Sequence, residues 1–137
     1  MLLAYILDPT DIIIKDLHNL ANRETMDLNL VFADDKISLS VEEWLAQFRD
    51  ADAVITNSYH GTIFSIIFRK PFYSLTNEER GTDRFVSLFN NLSISTDNYG
   101  TTFPKNVIFS NWNKTTWELA SFQNNSIVFL KNALNKV

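Results

Sequence analysis

Apolar positions along the chain change rhythm from one stretch to the next. LLAYIL (2–7) is an unbroken apolar run closed by Asp8 and Pro9, and DLNLVFA (27–33) is a second, branched and aromatic in its latter half. Runs of that length and content predict strands. Between them, TDIIIKDLHNLANR (10–23) opens with Thr10 as an N-cap and an acid in the first turn, and sets Ile13, Leu17 and Leu20 on one helical face. Ser40 to Glu43 reads as an S-x-x-E capping box. Val41, Trp44, Leu45 and Phe48 follow it at i, i+3, i+4 and i+7, which predicts a second helix. AVIT (53–56) is then a strand, the segment after His60 a helix, and PFYSL (71–75) a strand. TDRFVSLFNNL (82–92) is a helix that places Phe85, Leu88, Phe89 and Leu92 on one face, with Thr82 as its cap. A Gly-, Thr- and Asn-rich connection (94–106), a short NVIF strand and a long C-terminal helix over about 115–134 complete the reading.

Strands alternating with helices predict an α/β fold, a Rossmann-like parallel sheet with helices on both faces. The aromatic positions Trp44, Phe48, Phe64, Phe68, Phe85 and Phe89 match its core faces. Ligands of such sheets bind at the carboxyl ends of the strands, where helix N-termini point. VITNSYHGTIFSIIF (54–68) crosses one of those ends, and it sets Asn57, Ser58, Tyr59 and His60 in a row where a turn alone would suffice.

With the helix beginning near His60, residues 57–61 form the strand-to-helix turn and Gly61 allows close backbone approach. Free amides of a first helical turn carry roughly half a positive charge, and each interacting anion gains ~0.3–1 kcal/mol there. The turn therefore suits an anion, with hydroxyl contacts from Ser58 and Tyr59. His60 admits two readings. As a functional group, it stays neutral in the empty site and takes up a proton when a phosphate or carboxylate binds; as a structural one, it is a satisfied histidine beside the caps Asn57 and Ser58. In NEERGTDRF, Arg84 falls in the first turn of the next helix, where a cation opposes the macrodipole, so its place there favours an anionic partner. Salt bridges to Glu78, Glu79 or Asp83, or plain surface exposure, are the competing readings for Arg80 and Arg84. His18 lies away from the strand ends and reads as structural.

Composition sharpens this picture by exclusion. At 137 residues and 45% hydrophobic content the chain suits one domain with a proper core. Eleven Phe and three Trp leave aromatic surface for another domain or subunit. A net charge of −4 with no basic run argues against a general nucleic-acid or anionic-membrane surface, so any anion is bound locally. Without cysteine, and with only His18 and His60 as imidazoles, neither a disulfide framework nor a thiolate or imidazole metal centre is expected. MLLAYIL is too short to span a membrane and reads as a strand, which points to the cytoplasm.

SVEEWLAQFRDADAVITNSYHGTIFSIIFRKPFYSL followed by RGTDRFVSLFNNL resembles the C-terminal half of the polysaccharide pyruvyl transferase family. The likeness is dense from Ser40 to Leu92 and extends over residues 1–39 only in pattern. The family's A-D dipeptide, strand, S-F-H-G or R-L-H turn, F-S-I-I-F helix, K-P-F strand and R-F segment correspond here to Ala51 and Asp52, 53–56, Ser58 to Gly61, Phe64 to Phe68, Lys70 to Phe72, and Arg84 with Phe85. WELASFQNNSIVFLKNAL is similar to the family's closing helix. The resemblance implies the C-terminal half of a GT-B-like, two-domain transferase. Its pyruvyl group would pass from phosphoenolpyruvate, with no cofactor, to a sugar diol of a cell-surface polysaccharide. That reaction belongs to exopolysaccharide or cell-wall synthesis, in the cytoplasm or at the inner face of the membrane with at most peripheral association.

By motif position, His60 would be the catalytic acid, and Asn57, Ser58, Tyr59, Gly61, Thr62, Arg80 and Arg84 would bind the donor. Ser58 stands where the R-L-H branch has Arg, so Arg84 or Arg80 would supply the guanidinium; Tyr59 replaces the more usual Phe or Leu. A saccharide acceptor and an N-terminal domain or partner subunit that recognises it are implied as partners. Two alternatives remain at this point: the donor domain of a GT-B nucleotide-sugar glycosyltransferase, kept open by Asp34 and Asp35 after the second strand, and a non-catalytic interaction module that retains the fold.

Overall fold

The computed structural model describes residues 1–32, 40–76, 83–92 and 98–103. In chain order these form β1 (Leu2–Ile6), α1 (Asp11–Arg23), β2 (Leu28–Phe32), α2 (Val41–Asp50), β3 (Ala53–Thr56), α3 (Tyr59–Ile67), β4 (Phe72–Leu75), α4 (Asp83–Asn91) and β5 (Tyr99–Gly100). The expected C-terminal helix, the NVIF strand, the Thr82 cap, Arg80 and the Asp34–Asp35 pair all lie outside the described residues.

Local signals account for where the helices begin. Thr10 accepts the Ile13 amide at 3.2 Å, and Ser40 accepts the Glu43 amide at 3.1 Å while its hydroxyl meets the Glu43 carboxylate at 3.2 Å. Ser58 caps α3 in the same way, accepting from Gly61 at 3.2 Å. The helix therefore starts at Tyr59, and Gly61 lies inside its first turn rather than in the preceding loop.

All strands pair in parallel in the order β2-β1-β3-β4-β5. From β1 the chain steps to β2 and then moves the opposite way to β3, β4 and β5. Because crossovers keep one hand, reversing direction reverses the face the helix covers. Accordingly α1 packs Leu17, Leu20 and Ala21 with Leu2, Ala4, Ile6, Ala53 and Ile55 on one face. On the other, α2, α3 and α4 bring Phe48, Ile63, Ile66, Phe85, Leu88 and Phe89 against Leu3, Val54 and Phe72. Phe48, Phe72 and Phe89 are completely buried, each worth about 1.5–3 kcal/mol of transfer from water. Trp44, Phe64 and Phe68 flank that core partly exposed.

β5 falls in the stretch read from sequence as a connection. Two residues carry no periodicity; what makes them a strand is pairing of Ser74 with Tyr99 and Leu75 with Gly100, helped by Asn98 donating to the Phe72 carbonyl at 3.0 Å. His18, read as structural, sits on the exposed face of α1. The strand order reverses between β1 and β3, so the carboxyl ends of these two strands form the topological switch point where doubly wound sheets place ligands.

Candidate functional site

Side chains facing α3 change character toward the carboxyl edge of the sheet. One rung back lie Leu3, Val54 and Phe72; at the last rung Tyr5, Thr56 and Ser74 stand in the same register. The Thr56 hydroxyl donates to the Tyr5 carbonyl at 2.6 Å and accepts from the Ser58 amide at 3.0 Å. The Thr62 hydroxyl donates to the Ser58 carbonyl at 3.0 Å and meets the Ser74 hydroxyl at 2.6 Å. Thr56, Ser58, Thr62 and Ser74 are all buried, and a buried hydroxyl left unpaired costs ~1–3 kcal/mol. The network thus locks the start of α3 onto β3 and β4.

Asn57 locks the switch point itself. Its side-chain oxygen accepts the Leu7 amide at 2.7 Å and its side-chain nitrogen donates to the Leu7 carbonyl at 2.8 Å, so one amide reads both backbone groups of the residue after β1. Asp8 then turns the chain away with φ 47°, a left-handed conformation that Asp tolerates better than most residues. Gly61 serves close approach of helix to sheet: a Cβ there would lie 2.6 Å from the Thr56 hydroxyl oxygen and 3.1 Å from the Tyr5 ring.

The remaining residues of the turn face outward. Tyr59 and His60 are partly exposed, and as the first two residues of α3 their amides have no intrahelical acceptor. Arg84, from the first turn of α4, lies with its guanidinium carbon 4.6 Å from the centroid of the Tyr59 ring. Tyr59 and His60 rings stand 6.2 Å apart. Burial first, and then the Arg84 charge, push the His60 imidazole below its ordinary value, so it is neutral at neutral pH. Burial raises the Tyr59 hydroxyl despite an opposing effect of Arg84, which keeps the phenol protonated.

Of the residues expected from sequence to form a site, the structure therefore brings together Tyr59, His60 and Arg84 on one outward surface. It turns Ser58, Gly61 and Thr62 into the buried sheet edge and commits Asn57 to Leu7. Arg80 is outside the described residues. Sequence reasoning passed over Thr56, which joins β1, β3 and α3; its only signal was a hydroxyl ending an otherwise apolar strand. No described helix is long and apolar enough to cross a membrane.

The arrangement offers a neutral imidazole that can take up a proton, a guanidinium and two helix-terminal amides. Such a set can hold an anion and deliver a proton beside it.

A family model described as polysaccharide pyruvyl transferase matches residues 4–79. The match runs from β1 past β4 and contains the Asn57–Thr62 stretch. It reaches back well before Ser40, where the motif likeness became dense, and it ends before α4, so Arg84 lies beyond it. No curated protein and no solved structure matches the chain significantly. With more than half of its 137 residues matched, and with the α/β sheet and turn placed as above, the chain belongs to the polysaccharide pyruvyl transferase family.

Proposed function

We propose that this domain binds phosphoenolpyruvate at the outer end of α3 and takes part in moving its pyruvyl group onto a sugar diol as a ketal. The observation that carries the reading is the convergence of the Tyr59 and His60 amides, the His60 imidazole and the Arg84 guanidinium at one helix terminus that has no acid in its first turn. Phosphoenolpyruvate presents a phosphate and a carboxylate, both matched by such donors. Arg84 and the helix-terminal amides bind charge.

His60 is the proton carrier in this reading. A bound phosphate opposes the Arg84 charge and stabilises the imidazolium, so the acid forms where the donor is bound. Its proton goes to the enol methylene carbon, or to the departing phosphate. Over the whole reaction the enol double bond, the carbon–oxygen bond to phosphate and two hydroxyl O–H bonds break. Two ketal C–O bonds, one methyl C–H bond and one phosphate O–H bond form. No oxidant, reductant or further cofactor enters that balance. A second domain or partner subunit supplies the saccharide acceptor, of an exopolysaccharide or cell-wall type. The site of action is the cytoplasm, at or near the inner face of the membrane.

An amide NMR titration of the chain tests the donor assignment, with inorganic phosphate and a UDP-sugar as controls. Shifts confined to Ser58–Thr62 and Arg84, larger for phosphoenolpyruvate than for phosphate, are expected. A response to the UDP-sugar alone, or none to phosphoenolpyruvate, overturns the assignment. In the complete enzyme, His60→Gln lowers turnover by ~10²–10⁴ if the imidazole carries the proton.

A further inference from the structure

We propose that Tyr59 works through its ring rather than its hydroxyl, as a positioning residue that holds the Arg84 guanidinium over the first turn of α3. This rests on the donor-site reading above and assigns Tyr59 a different part in it. The guanidinium carbon stands 4.6 Å from the ring centroid, within the range in which a cation is attracted to a π-face. The ring is itself held: it meets Phe85 edge-on at 5.5 Å and 89°, and Phe85, 4% exposed, leans on Phe89 at 6.2 Å within the core of that face.

Two features make the contact more than incidental packing. Arg84 lies in the first turn of its own helix, where the macrodipole disfavours a cation, so α4 alone gives it no reason to be there. Its side chain is exposed and long, and without a platform its rotamer freedom would carry the charge away from the end of α3. A protonated, partly buried phenol ring supplies that platform. Tyr59 and Arg84 are 25 positions apart in sequence and meet because α3 and α4 both pack into the core on one face of the sheet.

Burial lowers the His60 pKa most and the Arg84 charge lowers it further, so with no ligand present the imidazole also responds to where the guanidinium is. The test is a four-member cycle in the full chain, comparing wild type, Tyr59→Leu, Arg84→Met and the double variant by NMR titration of the His60 ring protons, with Tyr59→Phe as the conservative variant. Tyr59→Leu is expected to raise the His60 pKa in the same direction as Arg84→Met, and to add nothing in the Arg84→Met background. Tyr59→Phe keeps the wild-type value. An equal rise from Tyr59→Leu with and without Arg84 overturns the proposal, since the ring would then act only by burying His60.

Phosphoenolpyruvate affinity gives the second readout. Removing the platform weakens it by about two- to fivefold, the range of an exposed cation–π contact, and Tyr59→Phe retains it. A loss from Tyr59→Phe equal to that from Tyr59→Leu also overturns the proposal, because the hydroxyl would be the contact. If wild type does not bind phosphoenolpyruvate, the donor reading fails while the His60 cycle still decides what Tyr59 does to Arg84.

Discussion

Three of the four described helices begin with acids of their own: Asp11 in α1, Glu42 and Glu43 in α2, and Asp83 in α4. The first turn of α3 has none, and it brings Tyr59 and His60 instead. The caps differ as well. Thr10 and Ser40 are exposed and serve only their helices, whereas Ser58 is buried and its backbone is tied to Thr56 and Thr62. A helix whose positive end is neutralised by its own side chains is finished; one held rigidly and left uncompensated has its positive end available to a ligand. The second arrangement occurs beside the switch point, and Arg84 adds to its positive charge.

Gly61→Ala should break the contrast most severely, because its Cβ would sit 2.6 Å from the Thr56 hydroxyl oxygen and the start of α3 would be pushed off the sheet. The expected loss is about 1–3 kcal/mol in urea unfolding, and it should be smaller in a Thr56→Ala background that removes the opposing hydroxyl. An unchanged midpoint in the wild-type background would mean that α3 is not clamped as described.

Cap removal separates the two kinds of helix start. Ser58→Ala should cost about 1–2 kcal/mol and Thr10→Ala about 0.5–1 kcal/mol, since the buried site leaves the Gly61 amide without a substitute while water reaches the Ile13 amide. Equal losses in thermal unfolding would contradict the distinction.

The smallest effect concerns charge. His60→Asp supplies the acid that α3 lacks and should stabilise the chain by ~0.3–1 kcal/mol at neutral pH while abolishing phosphoenolpyruvate binding. In wild type, the folded-state His60 pKa lies below its ordinary value, so the unfolded chain binds the proton more readily. Stability therefore falls as pH drops through the ordinary histidine range toward the folded value, and His60→Asn should remove that part of the pH dependence. Thermal melts of the three proteins between neutral and mildly acidic pH check both statements. A lower melting temperature for His60→Asp at neutral pH would show that the helix end was not uncompensated.

Much of the fold was legible in the sequence because its signals are local. Thr10, Ser40 and the face formed by Leu17 and Leu20 act within a few residues of themselves, and apolar runs such as AVIT coincide with buried strands. The turn was likewise visible as an unusual polar row. What its members do was not, because Asn57 and Ser58 have the same chemistry whether they bind a ligand or the chain. Only the position of Leu7, 50 residues away in sequence, commits Asn57 to the backbone.

The alternation of strands and helices, the starts of α1 and α2 and the family are carried by short-range spacing and motif and were readable from the chain, whereas the start of α3 was read one residue late, with Gly61 left in the turn. Three things came only from the tertiary structure: that Tyr99 and Gly100 form a strand, that Gly61 must lack a side chain because Thr56 faces it, and that Arg84 meets the Tyr59 ring. Each depends on parts of the chain brought together by the strand order β2-β1-β3-β4-β5. The physical reason is that pairing, close packing and cation–π attraction act through space, over distances that a one-dimensional pattern does not record.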